Sequence, residues 1–180
     1  MTLSTFITER IKITSKTRPL DHPKPKTTNE LRSLIEKELE FQGEDADLNF
    51  IDTSEITDMG SLFFDEKIRN IKIGEWDVSN VTNMTYMFYN CVNFNDDLSG
   101  WDVSNVTGMY SMFGNCKKFD CDLSTWDTSN VVEMRGMFGY CDLFKSDLSG
   151  WNVYKVRNHT NMFNMCPNME DNPELQPKFK

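Results

Sequence analysis

The chain has no apolar run approaching the ~18 residues that a membrane span requires. Its opening, MTLSTFITERIKITSK, does not join a basic stretch to an apolar one as a secretory leader does. A cytoplasmic protein with no membrane insertion is the expectation. Imidazoles are scarce, only His22 and His159. No Ser/His/Asp or Cys/His arrangement, no Gly-rich phosphate loop and no CxxC pair occurs, so neither catalysis nor a zinc site is expected. The nine glycines stand singly, which speaks against the glycine-rich calcium repeats. No cofactor is expected. Basic residues are outnumbered, 19 against 28 acidic, for a net charge of −9.

That charge is unevenly spread. Residues 1–26 carry six Lys/Arg against Glu9 and Asp21, an arm of +4, whereas residues 51–177 carry nine basic and nineteen acidic residues, a body of −10. A body of that sign is wrong for direct nucleic-acid binding, which needs cations to displace the counterions of phosphate. It suits a protein partner, in particular a basic one, or serves solubility.

What the sequence has in place of motifs is a period. Trp76, Trp101, Trp126 and Trp151 are 25 residues apart; Phe88, Phe113, Phe138 and Phe163 follow twelve residues after each Trp, and Cys91, Cys116, Cys141 and Cys166 three beyond those. Leu98, Leu123 and Leu148 close each period. A strict repeat of this length predicts stacked copies of one unit. Alternation at Trp76 and Val78 predicts a short strand. The spacing Val81, Met84, Met87/Phe88, Cys91, Phe94 predicts one or two helical turns. The expected fold class is therefore an α/β repeat: a short right-handed LRR-like solenoid of five 25-residue coils with an N-terminal capping helix.

The division that follows is a basic Pro-containing arm over 1–26, a capping helix and lead-in over 27–50, five coils over 51–170, and a tail over 171–180. In the arm, Ile7, Ile11 and Ile13 allow one short strand. The helix begins on a capping box, Thr27 with Glu30, presents Leu31, Leu34, Ile35 and Leu39 on one face, and stops at Gly43. Its apolar face should cover the first coil. No cap is evident at the other end, so the tail is expected to be loosely ordered and edge-to-edge stacking of copies is open.

Several rows of equivalent residues could carry chemistry. Asp77, Asp102 and Asp127, and a second row Asp97, Asp122 and Asp147, could hold Ca²⁺ between coils. An Asp two residues before a Ser fits an Asx turn better. Ser79, Ser104 and Ser129, with Asn80, Asn105 and Asn130, should hydrogen-bond along the stack. The cysteines read as a reduced core ladder, and Met87, Met112, Met137 and Met162 as buried filling. Specificity can be written where residues change while the scaffold repeats, which selects Tyr86, Tyr110, Lys117, Lys118, Arg135 and Tyr140 as partner contacts.

The phrases WDVSNVTNMTYMFYNCVNFNDDLSG, WDVSNVTGMYSMFGNCKKFDCDLST and WDTSNVVEMRGMFGYCDLFKSDLSG closely resemble the repeats of BspA-like leucine-rich-repeat surface proteins. The resemblance covers roughly residues 24–170. It implies a leucine-rich-repeat fold and, by family habit, adhesion at a bacterial surface. Three functions are carried forward: a non-catalytic protein–protein interaction module using its acidic repeat surface, a phage-type inhibitor that fills the basic nucleic-acid channel of an enzyme, and a bacterial surface adhesin.

Overall fold

The three-residue spacing of apolar positions is the pitch of reverse turns. In the second period the N–H of Val81 donates to Val78, Met87 to Met84, Cys91 to Phe88 and Phe94 to Cys91. In the computed structural model, which describes residues 22–179, each period is a chain of such turns. The expectations for residues 1–21, including the short strand at Ile7–Ile13, lie outside the described residues.

This corrects the expected fold class. Among the described residues only one helix exceeds seven residues, and parallel pairing is limited to isolated bridges, Asp58–Asn83–Gly108–Glu133–Asn158 and Asp47–Lys72. The described residues form no sheet, so the chain is not an α/β leucine-rich-repeat solenoid. The physical reason lies in the backbone. Donors alternate between a turn bond three residues back and a bond to the next period, as at Tyr86 to Tyr110, Phe88 to Met112 and Asn90 to Gly114. Left-handed residues, Tyr86 (φ 59°) and Asn90 (φ 65°) in this period, break any helix before it completes a second turn.

Consecutive periods lie in register, and their large side chains form columns. Phe63, Phe88, Phe113, Phe138 and Phe163 stack at centroid distances of 5.4, 5.5, 5.6 and 5.8 Å. A second column, Phe94, Phe119 and Phe144, lies against the first at 4.2, 4.1 and 4.0 Å. Every tryptophan is buried, and its indole N–H donates to a carbonyl 28 residues earlier: Trp76 to Leu48, Trp101 to Ile73, Trp126 to Leu98 and Trp151 to Leu123. The cysteine row is buried and unpaired. Cys91, Cys116 and Cys141 donate to Phe63, Phe88 and Phe113, and burial pushes the Cys91 thiol up to about 12. Met87, Met112, Met137 and Met162 are buried as expected.

Both ends of the column are closed. Helix α1, Thr28–Gln42, buries Leu31 and Ile35, and its Thr27 hydroxyl accepts the Glu30 N–H at 3.2 Å. Gly43 ends it at φ 84°, a conformation that costs glycine little. From α1, Thr28 donates to the Asp58 carbonyl at 2.7 Å and Arg32 to the Ser61 carbonyl at 3.0 Å, closing acceptors that face away from the next period. At the other end the tail is ordered, not loose. Helix α2, Pro167–Glu170, buries Met169; the Glu170 carboxylate accepts the Met165 N–H, and Phe179 stacks on His159 at 3.9 Å. Leu175 accepts the Leu148 N–H at 2.8 Å. The expected uncapped end is thus corrected.

The aspartate rows close turns. Asp77, Asp97, Asp102, Asp122, Asp127 and Asp147 each accept the N–H of the serine two residues on, at 2.9–3.0 Å. No group of three or more potential metal ligands occurs among the described residues. The serines hold several of these carboxyls below the ordinary 3.8: through the hydroxyl first for Asp97, Asp102 and Asp147, through the N–H first for Asp122 and Asp127. A depressed folded-state value contributes stability that is complete above the unfolded value and is lost as pH falls through the folded one. The urea midpoint is therefore expected to be flat from pH 7 to about 5 and to fall below about pH 4. A midpoint unchanged down to pH 2.5 would contradict this.

Candidate functional site: a tyrosine–arginine groove

Four positions of the repeat build one face. Gly60, Thr85, Tyr110, Arg135 and Thr160 are equivalent; so are Ser61, Tyr86, Ser111, Gly136 and Asn161. Phe64, Tyr89, Gly114, Gly139 and Asn164 form a third row, and Asp65, Asn90, Asn115, Tyr140 and Met165 a fourth. In the third row bulk disappears after Tyr89. Two glycines follow, and the stack is left open there.

The result is a groove of about 220 Å³ lined by Tyr89, Tyr110, Ser111, Gly114, Asn115, Arg135, Gly136, Gly139, Tyr140, Asn161 and Asn164. Tyr89 lies over Gly114, where a Cβ would meet its ring at 2.8 Å, so any other residue there would displace the wall. Phe64, Tyr86, Tyr89 and Tyr110 form one aromatic cluster with neighbouring centroids 4.6–6.0 Å apart. The Arg135 guanidinium carbon sits 5.5 Å from the Tyr110 ring centre, a cation–π contact. The hydrogen bond with Tyr110, then burial, pushes the Tyr86 hydroxyl up to about 12, so this phenol stays neutral at physiological pH.

The second and fourth rows are held in the left-handed region. Their occupants are mostly Ser, Asn, Asp and Gly, but Tyr86 (φ 59°), Tyr140 (φ 62°) and Met165 (φ 58°) are bulky exceptions. In the fourth row the amides form a ladder, Asn90 on Asp65 and Asn115 on Asn90, which Tyr140 ends. Tyr140 is 52% exposed.

Of the contacts expected from sequence, Tyr110, Arg135 and Tyr140 line this groove, and Tyr86 packs beside it. Lys117 and Lys118 are exposed on the turn between Cys116 and Phe119 and do not line it. Tyr89, Asn115, Asn161 and Asn164 were not expected. The loss of bulk along Phe64, Tyr89, Gly114, Gly139 and Asn164 is the signal that could have found them.

Nothing in the groove resembles a nucleophile–base pair, and its lining holds no histidine, cysteine or carboxylate. It can stack, donate and accept. No described helix is long and apolar enough to cross a membrane.

A family model described as "Mycoplasma protein of unknown function, DUF285" matches the chain over residues 29–124 and 57–175. No curated protein and no solved structure matches it.

Proposed function

We propose, for this chain, which belongs to the DUF285 family of Mycoplasma proteins of unknown function, a non-catalytic role in protein recognition through the tyrosine–arginine groove. The observation that carries this is the lining itself. All eleven residues are Tyr, Ser, Gly, Asn or Arg, the set that supplies rigid amphipathic anchors and adaptable hydrogen bonds in binding surfaces. The surrounding acidic body, −10 over residues 51–177, would steer a partner with a basic face and be screened by salt.

Tyr140→Asn separates recognition from folding. Asparagine tolerates the left-handed backbone and extends the Asn90–Asn115 ladder, so stability should rise by about 1 kcal/mol. Capture of the partner from a lysate of the encoding organism should fall at the same time. Equal capture by the wild type and the variant, at unchanged or higher melting temperature, would remove Tyr140 from the interface. Equal capture by Tyr110→Ala as well would remove the groove.

The resemblance to BspA-like surface repeats supports a second reading, adhesion at a cell surface. Against it stand five unpaired, buried cysteines, which suit a reducing compartment. They support a cytoplasmic location, and surface biotinylation of intact cells decides between the two. Inhibition of a nucleic-acid enzyme rests on the acidic body alone; it requires binding that weakens steeply with salt.

A further inference from the structure

Charge is distributed around the groove against the trend of the whole chain. The sequence has 28 Asp and Glu, yet the eleven lining residues include none. Another concavity, lined by Asp96, Asp97, Asp120 and Asp122 together with Lys72, Asn95, Ser99 and Cys121, carries four carboxylates. Arg135 is the sole charge in the groove. The ion pairs among the described residues join Lys24, Arg69, Lys72 and Lys145 to carboxylates, and the Arg135 guanidinium is in none of them. The nearest acidic residue in sequence, Glu133, accepts the Arg135 backbone N–H at 2.7 Å and the Asn158 amide at 3.1 Å, and so is engaged elsewhere.

The amides repeat this pattern. Along the column, asparagine side chains are tied down: Asn80, Asn105 and Asn130 donate to Ser54, Ser79 and Ser104 carbonyls, and Asn83 donates to Asp58. Asn161 and Asn164, on the groove wall, have no side-chain hydrogen bond among the described residues. An uncompensated guanidinium fork, held over a tyrosine ring and flanked by two unengaged amides, is a receptor for a planar anion. Guanidinium matches carboxylate in bidentate geometry, and the Tyr110 ring fixes one side of the fork.

We infer that the groove seats a side-chain carboxylate of an extended segment of the partner protein, anchored on Arg135 with its backbone read by Asn161 and Asn164. This rests on the recognition role proposed above. The partner's basic surroundings answer the acidic body, and its one buried acid sets the register of docking.

The test uses the full chain and a phage-displayed pool of random dodecapeptides. Selected peptides are expected to share an Asp or Glu at one position. A synthetic, fluorescein-labelled member should lose affinity by about 10- to 100-fold on Arg135→Met, the range for a charge-assisted hydrogen bond. Changing the peptide's acid to its amide should cost the same. The two changes together should cost no more than either alone, and Arg135→Lys should fall between. Arg135 is exposed, so an unchanged melting temperature is the folding control.

Binders without a common acid, or binders that Arg135→Met holds equally well, overturn the inference. If those binders still fail on Tyr110→Ala, recognition at the groove stands and only the carboxylate falls. If they survive both changes, or no peptide is enriched, both readings fall. Binding abolished by amidating the peptide's C-terminus, but not by changing its internal acid, reassigns the anion to a chain terminus and overturns the side-chain assignment.

Discussion

Phe113→Ala is expected to lower the unfolding free energy by about 4 kcal/mol. Phe113 is fully buried at the middle of the main column, stacked on Phe88 at 5.5 Å, Phe138 at 5.6 Å and Phe119 at 4.1 Å. Removing the ring leaves a cavity shared by three layers. The neighbours cannot close it without breaking the inter-period bonds of Phe88 to Met112 and Phe113 to Met137. Because each layer contacts only those beside it, the loss should divide the column at its centre. Equilibrium urea denaturation followed by tryptophan fluorescence reads the effect. A loss under 1 kcal/mol would mean that the column is not the main source of stability.

Asp96→Ala should cost about 3 kcal/mol, more than any exposed aspartate of the two rows. Asp96 is 7% exposed, and its carboxylate accepts the N–H of Ile73 at 2.8 Å and of Gly74 at 3.0 Å while pairing with Lys72 at 3.2 Å. Truncation strands two backbone donors, Ile73 in the interior and Gly74 half-buried. The equivalent residues do the same work one period on. Cys121 accepts the Leu98 N–H, and Ser146 the Leu123 N–H at 2.9 Å. Asp96→Ser should therefore recover much of the loss. If Asp96→Ser and Asp96→Ala denature alike, the backbone donors are satisfied by other means and the argument fails.

This row shows how far the sequence could be read. Asp96, Cys121 and Ser146 share no obvious chemistry, and Cys121 falls outside the 25-residue cysteine row. Their common function, an acceptor aimed at the Leu position of the previous period, exists only once the layers are superposed. The Trp, Phe, Met and Cys rows were legible because burial demands the same apolar type at each repeat. Helix α1 was legible because the Thr27–Glu30 box and Gly43 are local signals. The strand and helical turns were misread for a definite reason. Turns that bond three residues back place apolar residues every three positions, as a helix face does, and the two cannot be separated by spacing alone. The tail was misread because the partners of Met169, Leu175 and Phe179 lie in distant layers.

The groove divides in the same way. Variation between periods pointed to Tyr86, Tyr110, Arg135 and Tyr140, and it also pointed to Lys117 and Lys118, which lie apart on another turn. Sequence alone determined the period, the composition of the core, the first helix and the acidity of the body, because these follow from local bonding, burial and charge count. Only the tertiary structure decided that the periods are built of turns, that both ends are closed, and that four rows meet in a groove free of carboxylates. Those depend on which donor finds which acceptor about 25 residues away, and that choice is made when the layers pack.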